Sequence, residues 1–473
     1  MELRRDLSYF DLTNIVVGAI VGSDIYIASA ITAGLVGPFS IVVWVIAGIM
    51  ATVLALVFAY SSYYVPKEGG SFAYVSTAFN DFFGFLAGWS MWIAEVLALP
   101  VFALTFANYL GYFVHLDFTE SLLVKALFLF GLTLVNIVGV KAAGRVNDVL
   151  TVAKLSPLVL LVVAGLVSFA YNPGRLSNYA PLAPLGLGNF GSALVLIFWA
   201  YVGFELGTLP SAEVKDPKAT VPKAIITGMA IVMAFYLSTN FVIFGTLNWG
   251  RLAATSVPLV VVGSVLLGRF GGGIMSLGAL VSVSGSDESG ILGTARLSYA
   301  MAVDGLFPRS FARIHPKFKT PYVALIVQAV IALVLSTYTQ LASLISFSVF
   351  NLAFSFLLVC LAFFRLKKKG EGGLHGQNVV PVLGVAICLY LLYSISSVDK
   401  LIGTAVIALG VPLYVFFSPK VDIHDLKAEL VSEEAILAGA LEKRSRFLAN
   451  SLRGAHAIIR SLRRHRDPRS PPT

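Results

Sequence analysis

Charge is scarce in this chain: of 473 residues only 12% are Asp, Glu, Lys or Arg, against 57% hydrophobic, and the mean hydropathy is +0.85. An ordinary soluble surface cannot be built from that composition, which excludes a soluble globular domain and indicates a membrane-embedded chain. Cysteine is scarcer still. Cys360 and Cys388 both fall in apolar stretches, where a thiol reads as a small buried hydrophobe rather than part of a disulfide framework. None of the six histidines falls in an apolar segment, so a histidine proton relay inside a membrane is excluded. Also missing are Gly-x-x-x-x-Gly-Lys-Ser/Thr, His-Glu-x-x-His and Gly-x-Ser-x-Gly, the patterns that cradle nucleotide phosphates, hold a hydrolytic zinc and expose a serine nucleophile. The expectation is a non-enzyme with no cofactor and no resident metal. Period-two alternation is absent as well, which argues against a transmembrane barrel.

What the chain does have is apolar segments of bilayer-spanning length, at 9–34, 40–63, 82–114, 121–140, 147–170, 190–211, 221–246, 271–302, 321–338, 341–365, 379–396 and 400–417. They predict an all-α membrane protein with twelve transmembrane helices. The stretch 253–268 predicts an amphipathic helix on the outer surface. With the N-terminus inside, alternate loops collect Lys67, Lys141, Arg145, Lys215, Lys218, Lys223, Arg309, Arg313, Lys317, Lys319, Arg365 and Lys367–Lys369. The opposite loops hold little beyond Arg175, Arg251, Arg269 and Lys400. That asymmetry puts both termini in the cytoplasm of a multi-pass cell-membrane protein. The net charge of +9 then reports topology and tail, and does not argue for nucleic acid.

Two of the apolar segments are interrupted alike, at Val21-Gly22-Ser23-Asp24 and Val202-Gly203-Phe204-Glu205. Glycine followed by an acid in mid-membrane is poor helix-building, and the acid alone costs roughly 2.5–3.5 kcal/mol on insertion. Occurring in the first and sixth segments, the pair predicts two broken helices in corresponding places of two five-helix halves, an inverted 5+5 repeat with helices 11 and 12 appended. Such breaks expose N–H groups at one half-helix start, which attract anions, and carbonyls at the other half-helix end, which attract cations. A zwitterionic amino acid matches both. Tyr26, Trp199, Tyr201 and Phe204 gather around the breaks as an apolar wall or lid, or as ordinary packing residues.

Asp24, Glu95, Lys154, Glu205, Asp287 and Glu288 lie inside predicted spans, at a summed insertion cost on the order of 15 kcal/mol. One lysine cannot neutralise five carboxylates, so either several carry protons or the cavity draws cations. Asp24 reads as a counter-ion for a cationic group, or as an N-cap of the outer half of helix 1. Glu205 reads as a proton-responsive residue or a satisfied polar group, and Glu95 as a structural hydrogen bonder. Lys154 either exchanges a proton, stands where a sodium ion would otherwise sit, or pairs with Asp287 or Glu288. Lys154, Glu205 and Asp287 are the candidates for proton coupling.

Composition changes after Ser418. Between His424 and Arg466 apolar residues recur near helical spacing, and the second half adds Lys443, Arg444, Arg446, Arg453, Arg460, Arg463, Arg464 and Arg466. Residues 419–473 therefore form a cytoplasmic basic amphipathic tail, separate from the membrane domain 1–418. It either lies on anionic lipid or stays in solvent.

The ordered motifs carry a resemblance. Gly18-x-x-x-Gly22-Ser23, Pro66-x-x-Gly69-Gly70-Ser71-x-x-Tyr74, Gly84-Phe85-Leu86-Ala87-Gly88-Trp89 and Gly139-Val140-Lys141 cover the first half. Trp199-Ala200-Tyr201-Val202-Gly203-Phe204-Glu205, Glu213-Val214-Lys215-Asp216-Pro217 and Thr220-Val221-Pro222-Lys223-Ala224-Ile225 follow, then Arg296-x-x-Tyr299-Ala300-Met301-Ala302-x-Asp304-Gly305 and Thr320-Pro321. In this order they resemble the amino acid–polyamine–organocation permease family over all twelve helices, leaving only the tail outside. The resemblance implies a leucine-transporter-like fold and alternating access, with backbone at Gly22-Ser23 receiving a substrate carboxylate. It further implies Trp199 as an aromatic gate, Glu205 as a proton-sensitive glutamate and Lys154 as the lysine that replaces sodium.

One departure stands out: the family's Gly-Ser-Gly-Ile-Phe is here Gly22-Ser23-Asp24-Ile25-Tyr26. An ionised Asp24 would repel a substrate carboxylate by several kcal/mol in a low-dielectric cavity. A cationic amino acid, amine or polyamine as substrate, or an Asp24 turned away from the site, would each resolve the conflict.

The sequence reading is thus a secondary carrier for an amino acid or related organic cation, linked to protons, sodium or exchange, with substrate contacts at Gly22, Ser23, Asp24, Tyr26, Trp199, Tyr201, Gly203 and Glu205. A non-transporting nutrient sensor acting through the tail is the alternative. A metal carrier of similar fold is another, but its Asp-Pro-x-Asn in helix 1 and Met ligand in helix 6 are missing.

Overall fold

The computed structural model describes residues 8–65, 69–139, 143–205, 214, 217–369 and 376–417. The tail at 419–473, Lys67, Lys141 and the 206–213 stretch lie outside the described residues. Within them the chain is helical and contains no strand: α1 (Tyr9–Ile20), α2 (Asp24–Val36), α3 (Ser40–Tyr64), α4 (Ser71–Ala78), α5 (Asp81–Leu110), α6 (Phe118–Val138), α7 (Ala143–Tyr171) and α8 (Phe190–Trp199). Then follow α9 (Pro217–Thr246), α10 (Trp249–Ala253), α11 (Pro258–Val303), α12 (Tyr322–Tyr338), α13 (Leu341–Lys369), α14 (Val380–Ser394) and α15 (Ser397–Phe417).

Eight helical segments among the described residues are long and apolar enough to cross a bilayer, and α1, α8, α12 and α14 are shorter apolar helices. Their starts are written locally. Ser8 and Asp11 close a capping box on α1, Asp117 and Glu120 another on α6, and the Asn80 side chain accepts from the Phe83 N–H at the start of α5. The helix expected at 253–268 is the first part of α11, which is bent where Leu267 and Gly268 leave helical geometry. Gly268 takes φ 64°, ψ −162°, a conformation open to glycine.

Burial sorts the helices into an inner and an outer set. The apolar windows of α5 and α13 are 67% and 72% buried, whereas those of α6 and α15 are 28% and 17% buried. Exposed Leu123, Leu127 and Leu134 on α6 fit contact with lipid. The inner helices meet through small residues, as membrane helices do: Gly88 of α5 faces Met301 of α11, and Gly228 of α9 faces Val16 of α1. Between α3 and α13 the rings of Phe58 and Phe356 lie 5.0 Å apart, and Phe204 joins them from just beyond the end of α8.

Candidate functional site

Helical order stops at Ile20 and resumes at Asp24, with Val21 extended (φ −72°, ψ 102°). A helix end leaves its last four carbonyls without intrahelical partners, and in a bilayer each must be satisfied by protein. Here four separate side chains reach two of them, at Gly18 and Ile20, and the two carbonyls that follow, at Val21 and Gly22. The Lys154 ammonium on α7 donates to the Gly18 carbonyl at 2.6 Å. Tyr236 on α9 donates to Ile20 O at 3.2 Å, Ser286 on α11 to Val21 O at 3.2 Å, and Ser282 on α11 to Gly22 O at 3.3 Å. One turn further on, Tyr109 of α5 donates to Tyr26 O at 2.6 Å. The break is therefore a built feature, tied by α5, α7, α9 and α11.

The opposite end of the break is the amino end of α2. Ser23 occupies the N-cap position, yet its side chain makes no capping bond, and its Oγ is buried without a hydrogen-bond partner. Asp24 is the first residue of α2 rather than its cap. Its carboxyl is 5% exposed and hydrogen-bonded to the Tyr236 hydroxyl. Gly22 is crowded by its neighbours, since a Cβ there would lie 2.9 Å from Asp24 Oδ1 and 3.1 Å from Ser286 Oγ.

The second interruption lies directly against the first. After Trp199 the chain leaves α8 through a turn at Ala200–Gly203, where Gly203 takes φ +115° and its N–H donates to Glu205 Oε2 at 3.1 Å. A Cβ on Gly203 would sit 2.8 Å from the Ala19 carbonyl. Glycine is required twice here, for the backbone angle and for the closeness of the two breaks.

Around this centre the sequence-picked aromatics divide. Trp199 is buried beside Phe102 with ring centres 6.1 Å apart. Tyr201 is wholly buried, its hydroxyl spent on the Trp44 carbonyl at 3.1 Å and its ring set against Trp44 and Tyr236. Tyr26 is wholly buried too, edge-on to Tyr109, with no hydrogen-bond partner for its hydroxyl.

The buried charges also separate. Lys154 spends its ammonium on Gly18 O, and no ion pair joins it to Asp287 or Glu288 among the described residues. Asp287 is 0% exposed and both of its carboxyl oxygens lack partners. Glu95 on α5 is within electrostatic reach of Glu205. No cluster of His, Cys, Asp and Glu among the described residues is arranged to hold a metal ion.

Sequence reasoning placed the first break and the turn that ends α8, while the continuation of helix 6 after Glu205 lies outside the described residues; it did not pick out Tyr236, Ser282, Ser286 and Tyr109. Each is a hydroxyl in an apolar helix, a pattern that carries no signal until the helices are assembled. Two cavities elsewhere, of about 310 Å³ beside Asn108, Tyr112 and His115 and about 380 Å³ between Val163 and Phe235, do not involve the breaks.

The profile of the amino acid permease family matches residues 7–417, from the first helix through the last. The chain belongs to that family. The permease is similar to a methylthioribose transporter of Bacillus subtilis, 26% identical over 89% of this chain and 94% of the relative. A branched-chain amino acid permease of the same organism is 26% identical over the same shares, and a serine/threonine exchanger is 27% identical over 87% of this chain and 96% of its own length. The permease is accordingly a multi-pass membrane transport protein of the amino acid–polyamine–organocation group, and not an enzyme.

Proposed function

We propose that this permease is a secondary carrier that moves an amino acid or a related organic cation by alternating access, with the α1–α2 break as the heart of its substrate site. The observation that carries the proposal is the asymmetry of that break. Its carbonyl end is already occupied by Lys154, Tyr236, Ser286 and Ser282, while its amino end holds the unpartnered Ser23 Oγ. A substrate carboxylate placed at this end would take up the Ser23 hydroxyl and meet the positive end of α2, where the Asp24 carboxyl now accepts from the Gly22 N–H. Gly203 and Glu205 close the site from the second break, Trp199 covers it, and Asp24, Tyr26 and Tyr201 wall it from buried positions.

In this reading α1 and α2 are one broken span and α8 starts another, giving twelve spans as two inverted sets of five plus α14 and α15, with both termini cytoplasmic and a basic tail after residue 418. The Lys154 ammonium stands among helix-end carbonyls, a place suited to a cation, which supports proton-linked or exchange transport over sodium dependence. Glu205 and the unpartnered Asp287 are the further proton candidates. The three relatives differ in the solutes they are named for, so likeness alone does not choose a substrate.

Purified protein in liposomes, offered labelled leucine, serine, arginine, putrescine and methylthioribose with and without a pH gradient, tests the proposal. Uptake of at least one solute with a pH-dependent rate is expected. Absence of uptake for every amino acid and amine would overturn the substrate class, and uptake indifferent to pH would overturn proton linkage.

A further inference from the structure

Helix α9 runs along both halves of the broken helix. Tyr9 at the start of α1 bonds Thr227 at 2.7 Å, Gly228 is pressed against Val16, and Ser29 of α2 bonds Asn240 at 2.7 Å. Midway between these contacts is Tyr236, whose hydroxyl touches both sides of the break. It reaches the carbonyl of Ile20, the last residue of α1, and the carboxyl of Asp24, the first residue of α2. It is the residue on α9 that bridges the gap.

A count of protons gives this bridge a state. A tyrosine hydroxyl owns one proton, a carbonyl only accepts, and an ionised carboxylate only accepts. With Asp24 ionised, one proton faces two acceptors, and the charged one takes it. Ile20 O is then left without a donor. With Asp24 protonated the count closes: the Asp24 acid donates to Tyr236 Oη, and Tyr236 donates to Ile20 O. The chain Asp24–Tyr236–Ile20 is complete only with one extra proton bound, and both contacts are present in this structure.

We propose that Asp24 and Tyr236 form a proton-operated latch across the break, closed with a proton bound and tying the end of α1 to α9, open when the proton leaves and α1 is released. This rests on the reading of the break as the transport site and adds a proton site to it. Proton uptake forms one O–H bond on Asp24 and rearranges two hydrogen bonds; release reverses both, and no other group changes. Among the described residues, the groups facing Asp24 are Tyr236 from α9, Tyr201 from the second break, Lys154 from α7 and Tyr26 from α2 itself, with Ser282 and Ser286 of α11 on the adjacent carbonyls; the Gly22 and Asp24 N–H groups also donate to its carboxyl, and they do so without changing the single proton that Tyr236 owns. Lys154 already donates to Gly18 O, so its charge biases the latch without replacing it.

The test measures helix movement rather than solute. In full-length protein carrying Cys360→Ala and Cys388→Ala, Thr13→Cys places a thiol at a buried position on α1, and its labelling by a membrane-impermeant maleimide is followed against pH in liposomes. After correction for the thiolate fraction, labelling should quicken by up to about tenfold as pH rises, the worth of one lost hydrogen bond. Asp24→Asn, a donor at every pH, should remain slow throughout, and Tyr236→Phe should remain fast throughout. An Asp24→Asn protein that keeps the native pH profile overturns the latch, and so does a Tyr236→Phe protein that keeps it.

An infrared titration guards against a variant that fails to fold. The carbonyl stretch of a protonated acid should appear and vanish over the same pH range as the labelling change, and Tyr236→Phe, which leaves Asp24 in place, should move its midpoint. A band unmoved by Tyr236→Phe overturns the proposal. Because neither measurement uses a substrate, a failed uptake assay and a failed latch remain distinct results.

Discussion

The two interruptions solve one problem in opposite ways. At the first, carbonyls released by the end of α1 are met by side chains from α7, α9 and α11, brought from more than a hundred residues away. At the second, the described residues help themselves: Tyr201 and Val202 N–H groups fold back on Phe198 and Trp199 carbonyls, and the Gly203 N–H is met by Glu205 two residues on. A break held from outside responds to whatever moves its holders. A break held by its own turn keeps its form and serves as the surface against which the first one works. Among the described residues, then, the first interruption is the one tied to several other helices, and a responsive first break against a fixed second one is the expectation that the following variants test.

The harshest way to break that contrast is Gly203→Ala. The residue would have to hold φ +115° with a Cβ 2.8 Å from the Ala19 carbonyl. Backbone strain of about 1–3 kcal/mol and overpacking of about 1–3 kcal/mol add, for a loss of roughly 2–6 kcal/mol. Thermal unfolding in detergent should show it as a large fall in midpoint together with lost uptake, and a near-native midpoint would mean that the second break is adaptable after all.

Lys154→Met comes next, because it keeps the buried stem and removes only the ammonium on Gly18 O. A hydrogen bond from a charged group is worth about 1.5–3 kcal/mol, so stability should drop by that order while uptake loses its dependence on the pH gradient. Retained coupling, with the same drop in stability, would reduce Lys154 to a structural strut.

The place of both breaks was legible because each is a local contradiction: a glycine and an acid inside a run that is otherwise apolar. Several helix starts carry a signal that the sequence reading left unused, Ser8, Asn80 and Asp117 each standing one residue ahead of the helix they cap. The helix expected at 253–268 is present as the part of α11 that precedes Leu267 and Gly268, whose non-helical geometry separates it from the part that follows. What could not be read was the set of holders. Ser282 and Ser286 recur one turn apart on α11 among other serines, and Tyr236 sits in an ordinary Ala-Phe-Tyr-Leu-Ser run. Their meaning lies in which carbonyl they reach, and that is decided by packing between helices distant in sequence. Asp24 was legible as a departure but ambiguous as cap or counter-ion, and the partner that resolves it, Tyr236, was one of the silent residues.

Ser282→Ala and Ser286→Ala sharpen the comparison at a smaller scale. Each removes one donor from a break carbonyl and should cost about 0.5–1.5 kcal/mol singly. The two carbonyls are consecutive and share α11, so the double variant should cost more than the sum if the strand between Val21 and Gly22 loosens as one piece. A double-mutant cycle on unfolding midpoints decides this, and strict additivity would mean that the holders act independently.

The smallest structural effect is expected at Ser23→Ala, and it separates binding from folding most cleanly. Serine at an N-cap normally stabilises its helix by about 1 kcal/mol through a side-chain bond to the first turn. Ser23 makes no such bond, and its buried Oγ has no partner, so its removal relieves an unsatisfied polar atom rather than deleting a contact. Unfolding should therefore be unchanged or slightly more difficult, while affinity for a transported carboxylate-bearing solute should fall by about ten- to a hundredfold, the worth of one hydrogen bond to a charged group. If instead stability drops and affinity holds, the hydroxyl belongs to the architecture of α2, and solute recognition at this end rests on backbone alone.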